Sequence, residues 1–462
     1  MRGTHMLPGS PIATTEESLP PAGRAALRAG VVGNWVDNIH VFLPLTALAP
    51  AMVVLAGPAA AASTGSLIVV AMLFGRPVGG IVFGRISDRL GRTRTTRVAI
   101  AGTAACALAI AVTPTHEILG AGTIALILAL RFLGGIFVAG EYSAAIPLAM
   151  EWSRPRRRGL MSGLILSMAP WAQASIAFSV AMLLMMLGPD VYSAWGWRLL
   201  FVLGALASIG MLIYYSRQVS DAPVFHRRDR TTSARPRAGM RDLLAGRWAS
   251  TFWQVFLLMT GLWLLTNTTV LLLTGRLGTD TGLSATGVSM AIGIASIVQA
   301  VVMALAGHLS TRTGRRTLFI AWGLVAAVLG PLVWWLAVTS QSFGRAAVLA
   351  AVLQVITVSA YGPVSAYLSE RFPTEVRSTG YGMGYSLSLV LPALYPFYLP
   401  WLEAPLGRNG SVMALIGLGG GLLVLGAALG PRLSSRDTDA DIDTVADGVR
   451  ERGPMQTTEG AR

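Results

Sequence analysis

The sequence contains no lysine, a single cysteine and few charges: Asp, Glu, Lys and Arg together make up 13% of 462 residues, against about a quarter in a soluble domain. All 36 basic residues are therefore arginine, and lysine-based covalent chemistry is excluded. Cys106, set among Ala and Leu, excludes an intramolecular disulfide and any multi-cysteine metal site, and reads as an inert buried thiol. The five histidines are scattered, and neither a metal-ligand spacing nor a nucleophile arrangement occurs. A GxxxxGK[ST] phosphate loop is missing, so nucleotide-driven chemistry has no support. Short segments of alternating polarity, the mark of a membrane barrel, are missing too. No enzyme activity and no cofactor are expected.

What the sequence does have is apolar length. It is 53% hydrophobic with a mean hydropathy of +0.60, and its apolar residues come in blocks of roughly 20, enough to cross ~30 Å of hydrocarbon as helix. Twelve such spans are predicted, near 31–56, 64–84, 95–113, 119–150, 160–188, 197–216, 248–273, 284–307, 317–338, 345–368, 379–401 and 411–430. The expected fold is an all-α integral membrane protein embedded in the lipid bilayer.

The net charge of +14 does not point to nucleic acid, because the arginines sit in short loops between apolar blocks. Loops after spans 2, 4, 6, 8 and 10 hold most of them, among them Arg85, Arg89, Arg92 and Arg94, then Arg154 to Arg158, then Arg312, Arg315 and Arg316; the opposite loops hold Arg276, Arg345 and Arg408. The positive-inside rule then predicts that both termini are cytoplasmic. Residues 1–30, which lack the apolar core of a signal peptide, and 432–462 read as disordered tails. Residues 217–247 read as a linker between two six-span units, 31–216 and 248–431.

A repeat supports that division. VFGRISDRLGRTRT (82–95) recurs as LAGHLSTRTGRRTL (305–318), with Gly84, Gly91 and Arg92 matching Gly307, Gly314 and Arg315, and with Thr311 in place of Asp88. Two parallel six-helix repeats with a site between them form the architecture of one large class of transporters.

The stretch GRISDRLGRTR resembles the loop 2–3 signature of the major facilitator superfamily. GRPVGGIVFG (75–84), AGEYSAAIPLAMEWSRPRRRG (139–159), GWRLLFVLGALASIGMLIYYSRQVSDAPVF (196–225) and SERFPTEVRSTGYGMGYSLS (369–388) resemble its metabolite:proton symporters, the group of proline/betaine, α-ketoglutarate, citrate and shikimate carriers. The resemblance implies two pseudo-symmetric six-helix bundles and alternating access in the inner membrane. It also implies proton-coupled uptake of a small carboxylate or zwitterion by a chain able to act as a monomer. The sequence departs from the family in two spans. Asp37 and His40 stand where the first span usually carries Glu and Asp, and Gly134 stands where the fourth-span signature has Gln. A proton-driven exporter of a secondary metabolite or drug-like compound is the alternative, and a substrate sensor that does not transport is a third reading.

Several residues are candidates for the site. Asp88, Arg89 and Arg92, with Gly84 and Gly91 of the same signature, read either as a gate whose charges pair in one state and separate in the other, or as a topology anchor. Arg131 lies inside span 4, where a charge is rare and usually faces a cavity or partner; a substrate carboxylate or Asp37 is the expected partner. Tyr142, three helical turns on, shares its face, whereas Glu141 points about 80° away and is a candidate for proton handling or gating. Asn34, Asp37 and His40 form a polar stripe on span 1, with Asp37 and His40 read either as a proton relay or as a fixed network. Arg76 and Glu151 also match family positions and are expected nearer loops, in structural roles. In the second half Asn267, Gln299, Gln354, Tyr361 and Tyr385 are the intramembrane polar groups. Each reads as interhelical glue or as a substrate contact.

Overall fold

The computed structural model describes residues 19–57, 61–222 and 240–432, together with Ile442. Every regular element among them is helical. The first half supplies α1 (Pro21–Ala47), α2 (Ala61–Leu90), α3 (Arg92–Ala111), α4 (Ala121–Trp152), α5 (Arg158–Val191) and α6 (Trp197–Gln218). The second supplies α7 (Ala249–Asp280), α8 (Ala285–Thr313), α9 (Arg315–Val338), α10 (Phe343–Arg371), α11, which opens with Arg377–Leu387 and runs on to residue 406, and α12 (408–428). By length and composition nine segments among the described residues can cross a membrane. Pro155–Gln218 holds both α5 and α6, Tyr395–Ala428 holds the end of α11 and all of α12, and α3 completes the twelve.

Two boundaries differ from expectation. Pro21 sits at the first helical position, where its fixed φ suits a helix start, and the alanine-rich stretch after it carries the helix into span 1. Residues 21–30 are therefore helical, while 1–18 lie outside the described residues. The stretch expected as a linker begins with the last turn of α6 and ends around a short helix, Met240–Leu244; 223–239 lie outside the described residues, as does the C-terminal tail apart from Arg432 and Ile442.

Within the first half α4 packs on α2 and α3, α6 on α3, and α1 on α5 and α6; within the second, α12 packs on α7 and α9, and α10 on α8 and α9. The halves meet along two seams, α5 against α8 and α2 against α11. Glycine permits the approach. A Cβ on Gly80 would lie 2.7 Å from the Gly382 carbonyl oxygen, and one on Gly163 2.7 Å from that of Ala304. Without large side chains in the way, backbones touch and dispersion contacts hold the seams.

The sequence repeat is a structural one. Gly91 (φ +99°) and Gly314 (φ +84°) end α2 and α8 and start α3 and α9 in the left-handed region that other residues rarely adopt. Two departures from regular helix interrupt spans of the second half. A π-turn, Asn267–Leu272, interrupts α7, and a 3₁₀ turn, Ser359–Tyr361, followed by Gly362 and Pro363, interrupts α10. The prolines at 392, 396 and 400 accompany a broken α11, as proline in a span leads one to expect.

Candidate functional site

A cavity lies between the halves. Its first-half wall includes Asn38, Arg76, Arg131, Tyr142 and Gln173, and its second-half wall Trp263, Asn267, Gln299, Tyr361 and Tyr385. Its centre is Arg76. The guanidinium carbon lies 4.9 Å from the Tyr142 ring centroid, 5.1 Å from that of Trp263 and 5.5 Å from that of Tyr385, a box of π-faces that favours a cation. Tyr142 stacks on Tyr385 across the seam at 5.1 Å, and Trp263 stands edge-on to Tyr385 and donates its indole N–H to the Tyr385 carbonyl (2.7 Å). Arg76 is 2% exposed, and its Nε and Nη2 have no hydrogen-bond partner. It lies far from any loop, contrary to expectation. Midway along the 30-residue α2, it is as deep in its span as Arg131 is in α4, and that depth was the signal available.

The polar groups of α1 diverge. Asn34 donates to the Ile165 carbonyl of α5 (2.6 Å), and the His40 ring meets the Ser208 hydroxyl of α6 (2.7 Å). Neither lines the cavity, and neither does Asp37; Asn38, Val41, Phe42 and Leu45 do. Steps of three residues rotate by −60° on a helix of 3.6 residues per turn, so His40 faces 120° away from Asn34 and the apparent stripe winds off the cavity. Asn38, one residue past Asp37, donates to the Tyr142 hydroxyl (2.8 Å) and holds that ring in place. Asp37 faces Glu141, and their carboxyl groups are within side-chain hydrogen-bond reach, with Arg76 close enough to act on Asp37 by its charge. The Thr103 hydroxyl contacts Glu141 Oε1 (3.2 Å). A hydrogen bond between two carboxyl groups requires a proton on one of them.

Arg131 has no ion-pair partner among the described residues. Nη1 donates to the His40 carbonyl (2.9 Å) and Nη2 approaches the Met72 sulfur. Neither Asp37 nor Glu141 bonds to it. Asn267 opens the π-turn and donates to the Trp263 carbonyl (2.9 Å), while the Tyr361 hydroxyl and Gln299 Oε1 have no partner. Gln354 is buried outside the cavity wall.

At the arginine-rich end two ion clusters repeat each other. Glu151, at the end of α4, pairs with Arg92 of α3 (2.6 Å) and with Arg377 of α11 (2.8 Å). Glu370, at the end of α10, pairs with Arg315 of α9 (2.5 Å) and with Arg158 of α5 (3.1 Å). Each glutamate thus binds one arginine of its own half and one of the other. Asp88 adds what Thr311 lacks. It pairs with Arg92 (3.2 Å) and accepts from the Ser378 and Thr379 backbone N–H groups (3.1 and 2.8 Å), capping the start of α11. Gly84 packs on the same turn, where a Cβ would lie 2.9 Å from Thr379 Cα. Arg89, expected to share in the gate, is exposed and has no ion pair with this cluster among the described residues. Glu151, expected to be structural, is the pin between the halves here.

Two halves meeting in glycine-lined seams, a central cavity between them and ion pairs across one end together fit a carrier. Residues 39–396 match the Major Facilitator Superfamily. The chain belongs to that family. Among its relatives, the glycine betaine/proline/ectoine/pipecolic acid transporter OusA of Dickeya dadantii (strain 3937) is 26% identical over 393 residues, 81% of this chain and 77% of that one. The alpha-ketoglutarate permease of Escherichia coli (strain K12) is 27% identical over 68% of this chain and 71% of its own. The proton:xylose symporter XylE has the same fold, with a TM-score of 0.70 at 17% identity over 88% of this chain and 94% of that one. The transporter is thus a multi-pass membrane protein whose relatives include metabolite transporters.

Proposed function

We propose that this transporter couples proton entry to uptake of a small carboxylate or zwitterion by alternating access in the inner membrane, with both termini and the arginine-rich end facing the cytoplasm. The observation that carries the reading is Arg76, a buried guanidinium held over three aromatic rings of the central cavity and beside the Asp37–Glu141 pair. A substrate carboxylate gives Arg76 the bidentate partner it lacks, and Tyr142, Trp263 and Tyr385 then offer their faces to any cationic group of a zwitterion. Asn267, Tyr361 and Gln299 complete the wall. When the carboxyl pair holds its proton, Arg76 is available to the substrate. When the proton leaves, Asp37 competes for the same guanidinium, and the substrate is released. Arg377, Arg158 and their glutamates hold the cytoplasmic end shut until that exchange.

The predominantly apolar remainder of the wall, with Leu45, Leu166, Val270 and Leu271, equally suits export of an amphipathic anion. The direction of proton-driven flux in everted vesicles separates export from uptake. The role of Arg76 is tested in proteoliposomes bearing an inward proton gradient, with betaine, proline, α-ketoglutarate and citrate offered as substrates. Arg76→Gln should abolish uptake of whichever of these the wild type accumulates. Uptake by that variant at the wild-type rate and affinity would sink the assignment.

A further inference from the structure

Arg131 is a second guanidinium that this cycle leaves unused. It is 4% exposed, its Nε has no hydrogen-bond partner, and its other contacts are a carbonyl and a thioether. A buried cation without a counter-charge costs several kcal/mol, and neither contact supplies one. Arg131 also borders a small chamber inside the first half, lined with His40, Met72, Thr103, Cys106 and Gly134; Arg131 and Met72 stand between it and the central cavity and line both. The chamber has room for one small guest. Gly134 opens it. A Cβ there would meet nothing nearer than Cys106 Cβ at 3.8 Å.

We infer that the chamber binds one small monovalent anion of halide size, chloride under ordinary conditions, as the counter-charge of Arg131. The surroundings match such a guest: one charged donor, weakly polar groups and apolar walls. Thr103 ties the chamber to function by position: it lines the chamber, and its hydroxyl, bonded to the Ala99 carbonyl (3.0 Å), also contacts Glu141 Oε1 (3.2 Å). A bound anion therefore sits one hydroxyl from the carboxyl pair and favours its protonated form, so that chloride modulates the proton step. This last consequence rests on the proton-coupling reading above; the anion site itself does not.

The test is the thermal unfolding midpoint of purified full-length protein in lipid nanodiscs, titrated with chloride or bromide against gluconate at constant ionic strength. The wild type should show a saturable rise of several degrees with either halide, as ligand linkage requires. Gly134→Gln, which fills the chamber and lays an amide beside Arg131 where space allows it, should lose that response, and so should Arg131→Gln. An equal midpoint in halide and gluconate for the wild type overturns the proposal. An undiminished halide response in Gly134→Gln overturns it as well. So does protection by organic carboxylates, but not by halide, that disappears in Arg131→Gln, since Arg131 would then serve the substrate. A halide response confined to the wild type, with proton-driven uptake indifferent to chloride, leaves the anion site standing and removes only its link to the proton.

Discussion

Asp37→Asn keeps a hydrogen-bonding group against Glu141 but removes the proton that the carboxyl pair can give up. The expected outcome in proteoliposomes is loss of proton-driven accumulation with substrate counterflow retained, because counterflow requires only that loaded carriers exchange. Accumulation at the wild-type level would remove Asp37 from the coupling. Reading α1 from sequence located this acid but grouped it with the wrong neighbours. Asn34, Asp37 and His40 are three apart, and a three-residue step loses 60° of helix on each repeat, so their partners turned out to be α5, α4 and α6 in turn. Asn38, which does reach the cavity, looked like an ordinary neighbour of Asp37. Arg76 was misplaced for another reason. It lies between Gly75 and Pro77, residues that suggest a boundary, and the tight packing of Gly75 and Gly79 on α4 that explains those glycines is a tertiary fact.

At the scale of helices the seam between α2 and α11 is the most exacting element. Gly84→Ala places a methyl against Thr379 backbone that has no rotamer to yield, at an overpacking cost of about 1–3 kcal/mol. The cost falls only on the state in which the seam is closed. A cysteine at Ser378, in a Cys106→Ser background, should then react roughly tenfold faster with a membrane-impermeant maleimide from the arginine-rich side, about 1.4 kcal/mol of population shift. Unchanged labelling would mean that the seam does not govern closure. Helix number and order were legible because twenty-residue apolar blocks have no alternative use in a membrane. The π-turn at Asn267 and the 3₁₀ turn before Gly362 were not, since backbone irregularity of this kind is settled by what packs around it. Both fall where Asn267 and Tyr361 meet the cavity.

Over the whole molecule the two ion clusters are the same device built twice with one difference. On the α2–α11 side two arginines, Arg92 and Arg377, face two acids, Glu151 and Asp88; on the α8–α5 side Arg315 and Arg158 face Glu370 alone, and the Thr311 hydroxyl beside Gly159 has no partner. Thr311→Asp should supply the absent acid and a cap for the start of α5, stabilising the closed arrangement at this end. The expected result is a higher unfolding midpoint together with slower turnover; faster turnover at unchanged stability would contradict it. The repeat in the sequence foretold the clusters' placement, down to the left-handed glycines that end α2 and α8. It did not foretell the crossing, because Glu151 and Glu370 lie outside the repeated motif and reach their distant arginines only through the fold.

That crossing has a thermodynamic consequence. Should the halves part at this end, each glutamate would keep the arginine of its own half and give up the one opposite, so Arg158 and Arg377 would pass from a buried pairing into water. Water and its dissolved counterions must then do the work that the glutamates did. Mobile ions reach separated charges in an open vestibule far better than a buried pair, so dissolved salt lowers the free energy of the open form while scarcely touching the closed one. The balance between the carrier's two faces is then expected to shift toward the open form as the ionic strength on its arginine-rich side rises.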